Sequence, residues 1–200
     1  LTHLFHHRTL HDVTLVLRCD DASESSFREA LLSVCGQFDK PSRVVVVCSD
    51  RLRKSLELEC GYFGMFVDIR ILSANPATIV SSEDVLMGCG DEIAALLPTS
   101  GLVSFLDATT SLFPNYVRDA RQFYVLGAGV ENVVAVLDMN YAVLESNRQG
   151  VELEPRLIEG WKTETIEDIV SGGIIPLASF VMPIGTFRSV LNDHKGGALS

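Results

Sequence analysis

Two hundred residues with a 47% hydrophobic share suffice for one large domain or a piece of one, with a core that covers both faces of a sheet. Twenty-six acidic residues against sixteen lysines and arginines give a formal charge of −10, which excludes binding nucleic acid by general phosphate neutralisation, because that needs a cationic face. No apolar run reaches the ~18 uncharged residues of a membrane-spanning helix, and the opening LTHLFHHRTLHD lacks the long apolar centre of a signal peptide. A soluble, cytoplasmic protein without a transmembrane segment is the expectation. The first residue is leucine, as expected of a trimmed chain or a piece of a longer one.

Residues 1–12 read as a flexible leader. His3, His6, His7 and His11 lie there with no acidic or cysteine ligand interleaved, so they read as solvated imidazoles rather than a metal site. The five cysteines, Cys19, Cys35, Cys48, Cys60 and Cys89, are odd in number and lack C-x-x-C spacing, which favours reduced core thiols over disulfides or zinc.

VTLVLRC at 13–19 is too apolar and β-branched for an exposed strand and predicts a central one, ended by Asp20 and Asp21. Asp21 with Glu24, or Ser26 with Glu29, has capping-box spacing for a helix that presents Phe27, Ala30, Leu31, Val34 and Cys35 on one face. Lys40-Pro41-Ser42 breaks the pattern, and RVVVVC at 43–48 is a second buried strand ending at Ser49-Asp50. A helix over about 51–62, a strand over 67–72, a turn at Asn75-Pro76 and a helix begun by Ser81 or Ser82 and running to about 97 follow.

LVSFL at 102–106 is the fourth strand, stopped by Asp107, with Pro114 opening a helix to about 126. Strand and helix thus alternate, which implies right-handed crossovers and a parallel sheet. In such sheets ligands sit at the carboxyl ends of the strands, where Asp107 lies. Beyond it the rhythm changes to α+β. A strand is expected at 133–137, a turn at Asn147-Arg148-Gln149-Gly150, irregular chain around Trp161, a short helix at 164–171, a proline-interrupted strand in IIPLASFVMP, and a last helix over 186–191.

VLGAGVENVVAVLD at 125–138 has glycines and an acid, but a dinucleotide or adenosyl-methionine loop needs a helix between them and a gap of about 20 residues. Here Gly129 and Asp138 are nine apart. No G-x-S-x-G, P-loop or H-E-x-x-H pattern occurs, and a Ser-His-Asp triad would have to recruit His194 or a leader histidine.

Three stretches carry a family resemblance: VTLVLRCDDASESSFREALLSVCGQ, RVVVVCSD and GLVSFLDATTSLFPNYV. In order and spacing they resemble the opening strand with its "REAL-SV-Q" helix, the base-reading strand, and the "F-L-D-x-D-D" stretch of a family 2 glycosyltransferase. IIPLASFVMPIGTF is similar to the segment under that family's acceptor site. The resemblance implies an α/β GT-A fold, a Rossmann-like, mostly parallel sheet flanked by helices. Residues 13–126 would form the nucleotide-sugar-binding portion, and 127–200 an α+β acceptor-side portion of the same domain. The implied activity is transfer of a sugar from a nucleoside-diphosphate donor to an acceptor.

A diphosphate leaving group gains charge as the sugar bond breaks, and a divalent metal on carboxylates can neutralise it, while a further acid takes the acceptor's proton. By resemblance, Asp107 matches the first aspartate of D-x-D, a contact to the sugar nucleotide and a metal ligand. Thr109 stands at the second aspartate, so a Mn or Mg ion would be weakly held. Asp20, Asp21 and Asp50 are expected to line the base and ribose side, with Cys48 and Ser49 at the family's base-reading acid pair. The family's Arg-Asn pair falls near Gly88-Cys89-Gly90, and its general base beyond Ser200. The alternatives are a catalytically degenerate GT-A-like binding or protein-interaction domain, in which Asp107 only caps the next helix, and an unrelated doubly wound nucleotide-binding domain.

Overall fold

A computed structural model describes residues 12–21, 23–75, 82–126, 135–136, 141–147, 150–156 and 180–197. The leader histidines, Trp161, the expected helix at 164–171 and most of the 125–138 glycine segment lie outside the described residues.

Eight strands are described: β1 Val13–Cys19, β2 Arg43–Ser49, β3 Asp68–Ala74, β4 Leu102–Asp107, β5 Ala135–Val136, β6 Tyr141–Asn147, β7 Gly150–Arg156 and β8 Phe180–Pro183. The helices are α1 Phe27–Cys35, entered through a short 3-10 turn at Glu24–Ser26, α2 Asp50–Phe63, α3 Ser82–Leu96, α4 Tyr116–Leu126 and α5 Ile184–Gly197. Six strands form one sheet in the order β3-β2-β1-β4-β8-β5; β6 and β7 pair separately as an antiparallel hairpin. β3, β2, β1 and β4 are mutually parallel, and β8 runs antiparallel between β4 and β5.

The apolar runs of β1, β2 and β4 follow from cover on both faces. Side chains alternate across a strand, so Leu15, Leu17, Val44, Val46, Leu102 and Leu106 pack with α1, α2 and α4, while Val16, Val45, Val47, Val103 and Phe105 pack with α3 and α5. On the first face Phe27, Ala30, Leu31 and Val34 are buried as their helical spacing predicts. On the second, the rings of Phe105 and Phe187 stand 5.5 Å apart. At Gly90 a Cβ would come within 2.4 Å of Leu191 Cδ2, so the absence of a side chain there lets α3 approach α5.

The Ser26–Glu29 capping box does not form, since Ser26 makes no side-chain cap bond at the start of α1, and the cap position of the 3-10 turn is Ser23 rather than Asp21. Asp20 and Ser23 close a polar turn instead, described below. The buried amide of Gln37 anchors the segment after β4. Its Nε2 donates to the carbonyls of Ser33 (3.0 Å) and Phe113 (2.7 Å), and its Oε1 accepts from the Val117 amide at 3.1 Å. Leu112 N donates to Ser33 Oγ, which ties the same segment to α1. The hairpin pairs Asn147 with Gly150, the turn expected from Asn-Arg-Gln-Gly. Among the described residues no helix is long and apolar enough to cross a membrane.

Candidate functional site

From β1 the chain steps outward through β2 to β3, then returns by α3 to β4 on the other side of β1. Strand order reverses at β1; α1, α2 and α4 cover one face of the sheet and α3 and α5 the other. Open α/β sheets take their ligands in the crevice at such a switch point, here the carboxyl ends of β1 and β4.

Among the described residues three charged side chains meet there. Arg18 and Asp107 are register partners on adjacent strands, and the amide just past Asp107, Ala108 N, donates to Arg18 O at 2.8 Å. Both side chains fall on the α3/α5 side by strand alternation. Arg18 Nε donates to Asp107 Oδ1, and Arg18 Nη1 donates to Asp20 Oδ2 at 2.9 Å. The other oxygen of Asp20 accepts from the Ser23 amide at 2.8 Å and lies 2.8 Å from Ser23 Oγ, while Asp20's own amide donates to that hydroxyl at 2.9 Å. The side chains of Arg18, Asp20 and Asp107 are 13%, 27% and 33% exposed, so water screens these charges less than it would a surface pair.

The structure brings Asp20 and Asp107 together through Arg18. Asp21 is exposed and pairs across the rim with Arg51 at 3.3 Å. Asp50 is exposed in the first turn of α2, which Ser49 caps by accepting from Leu52 N at 3.4 Å. Thr109 is exposed on the turn just past Asp107, which the Thr110 amide closes on Asp107 O at 2.8 Å. Behind the crevice, burial pushes the thiol of Cys48 up to about 11 and that of Cys19 up to about 12, so both stay protonated.

Arg18 is the residue that sequence reasoning missed. Its signal was present: a single charge inside the otherwise apolar VTLVLRC, two places before an aspartate, in a strand whose interior position leaves a cation needing a partner.

As for a divalent ion, the carboxylate oxygens on offer among the described residues are those of Asp107 and Asp20, both paired to one guanidinium, with Thr109 exposed on the turn just past Asp107. A Mg²⁺ or Mn²⁺ ion needs only one or two carboxylates beside substrate phosphates, but carboxylates already bonded to a guanidinium are poorer ligands for it. Among the described residues no group of three or more His, Cys, Asp or Glu is arranged to hold a metal ion. With both carboxylates engaged by Arg18, the donor set among the described residues is a poor fit for a divalent ion.

The fold is GT-A-like α/β. It is similar to the crystal structure of residues 1–349 of TarS from S. aureus, with a TM-score of 0.58 and 15% identity over 91% of this chain and 49% of that one. The longer S. aureus TarS structure matches with a TM-score of 0.52 and 15% identity, over 89% of this chain and 29% of that one. A 4-diphosphocytidyl-2C-methyl-D-erythritol synthase from Anaerococcus prevotii DSM 20548 matches with a TM-score of 0.53 and 10% identity, over 95% of this chain and 76% of that one. The chain thus spans about half the length of the first of these structures. No family model matches the chain, and no curated protein matches it either.

Proposed function

We propose that the crevice between β1 and β4 binds a nucleoside-diphosphate sugar and that the chain is a nucleotide-sugar-dependent glycosyltransferase, resembling family 2, acting on an acceptor of unassigned chemistry. The observation that supports it is the placement of Arg18, Asp20 and Asp107 together at the topological switch point of a GT-A-like sheet. In this reading the carboxylates of Asp107 and Asp20 accept hydroxyls of the ribose or the transferred sugar. Asp21, Asp50 and Thr109 line the rim, and Arg18 offers fixed donors toward the diphosphate. A diphosphocytidyl compound in the name of one structural neighbour is consistent with nucleotide chemistry on this fold. The reading includes a cytoplasmic location, supported by five cysteines that form no disulfide with one another.

The second reading is a catalytically degenerate GT-A-like domain that binds a sugar nucleotide or a protein partner. It is favoured by the pairing of Asp107 to Arg18 and by Thr109 at the position where the family resemblance expects an acid.

Calorimetry with uridine, guanosine and thymidine diphosphates separates them. The transferase reading expects one nucleotide to bind and Asp107→Ala to weaken it, followed by hydrolysis or transfer when the matching sugar nucleotide is supplied. Binding without turnover moves the assignment to the degenerate domain, and no binding of any nucleotide removes the sugar-nucleotide reading.

A further inference from the structure

We propose that Arg18 stands in for a divalent cation in this crevice: its guanidinium occupies the charge-neutralising place beside Asp107 and Asp20, so the site works without a bound metal and contains a cation site that only loss of Arg18 uncovers. The diphosphate part of this inference rests on the sugar-nucleotide reading above; the cation part does not.

The geometry carries it. Arg18 engages two carboxylates from different strand ends with different nitrogens, Nε to Asp107 and Nη1 to Asp20, so its planar head is fixed between them. Both oxygens of Asp20 already accept hydrogen bonds, one from Arg18 and one from the Ser23 amide. An ion bound to Asp107 at the usual ligand distance of about 2.0 to 2.6 Å would lie beside a guanidinium that does not deprotonate in proteins. In a setting where Arg18 is only 13% exposed, that repulsion is weakly screened. Arg18 and Asp107 are Cα partners on adjacent strands, so the backbone register keeps the guanidinium within reach of Asp107. Thr109, exposed on the turn just past Asp107, is neutral and adds no further carboxylate there. Among the described residues one guanidinium lies against two carboxylates, and removing it takes away a positive charge that a hard cation can replace.

The test uses Mn²⁺ alone, with the free ion followed by electron paramagnetic resonance. Wild type and Asp107→Asn should give superimposable titrations. Arg18→Met should gain one Mn²⁺ site at least ~tenfold tighter than any in wild type, lost again in the Arg18→Met/Asp107→Asn double variant. A wild-type Mn²⁺ site that Asp107→Asn removes overturns the proposal, as does an Arg18→Met protein that folds, by circular dichroism, and gains none. Should Arg18→Met not fold, the comparison of wild type with Asp107→Asn decides alone. In a second arm, uridine, guanosine and thymidine diphosphates are titrated in EDTA and in Mn²⁺. Equal affinity in both supports metal-free binding; dependence on Mn²⁺ overturns the proposal and leaves the sugar-nucleotide reading standing. If none of the three binds, that reading fails and the Mn²⁺ titration still decides the place of Arg18.

Discussion

The two ends of the β1–β4 pair are fastened by different physics. At the amino end the fastening is backbone. Leu102 N donates to Asp12 O at 2.7 Å, Ile184 N donates to Gly101 O at 2.9 Å, and Gly101, at a φ of 124°, passes so close that a Cβ would lie 2.5 Å from Asp12 O. At the carboxyl end the fastening is charge, from Arg18 to Asp107 and Asp20. A backbone clasp with no room for one carbon has no room for a ligand either. Side-chain pairs can exchange partners without disturbing the sheet, so the carboxyl end is where binding can occur at small structural cost.

The largest expected effect concerns what lies behind the charged end. Cys19, Cys48 and Cys60 have thiols raised from 9.0 to about 12, 11 and 12, first of all by burial. Below pH 9 the thiols are protonated in both states and their contribution is complete. Above it the unfolded chain releases protons that the folded chain keeps, so stability falls until the pH passes the folded values. Each thiol removes at most ~1.4 kcal/mol per pH unit in that window. Urea unfolding at pH 8, 9 and 10 should show the decline, and Cys60→Ala should make it shallower; an unchanged slope would mean that Cys60 does not stay protonated.

Gly101→Ala attacks the opposite end. Its φ disfavours any side chain and the new Cβ meets a carbonyl rather than a yielding side chain, so a loss of about 3 kcal/mol is expected in chemical denaturation. Asp107→Asn should lose less, about 1 to 2 kcal/mol, because it weakens one charge-assisted bond in a partly exposed setting. If Asp107→Asn proved as damaging as Gly101→Ala, the carboxyl end would be a structural clasp too, and the contrast would collapse.

The sheet was legible because strands covered on both faces read as unbroken apolar runs; VTLVLRC, RVVVVC and LVSFLD each gave a strand within a residue or two of its bounds. The site was only half legible. Asp107 and Asp20 could be found as acids at strand ends, but the pairing of Arg18 with Asp107 spans 89 positions and depends on strand register. Local patterns also misled: Asp21 with Glu24 has capping spacing, yet Asp20 and Ser23 close the turn and Asp21 turns to Arg51. Gly90, near which the family resemblance places an Arg-Asn pair, gains a physical reason only once Leu191 is seen against it.

The smallest expected effect lies at the quiet end of β1. Thr14 is fully buried between β2 and β4, and among the described residues its hydroxyl has no hydrogen-bond partner. A buried hydroxyl without a partner loses its hydration and recovers nothing, so Thr14→Val, which keeps the β-branched shape, should raise stability by about 1 kcal/mol. Thr14→Ser keeps the hydroxyl and removes the methyl, so it should lower stability by a similar amount. The two variants differ in sign only if packing alone holds that end of the strand. A loss in Thr14→Val would show a polar partner for the hydroxyl, and would place at the amino end the kind of exchangeable bond that otherwise belongs to Arg18 and its two acids.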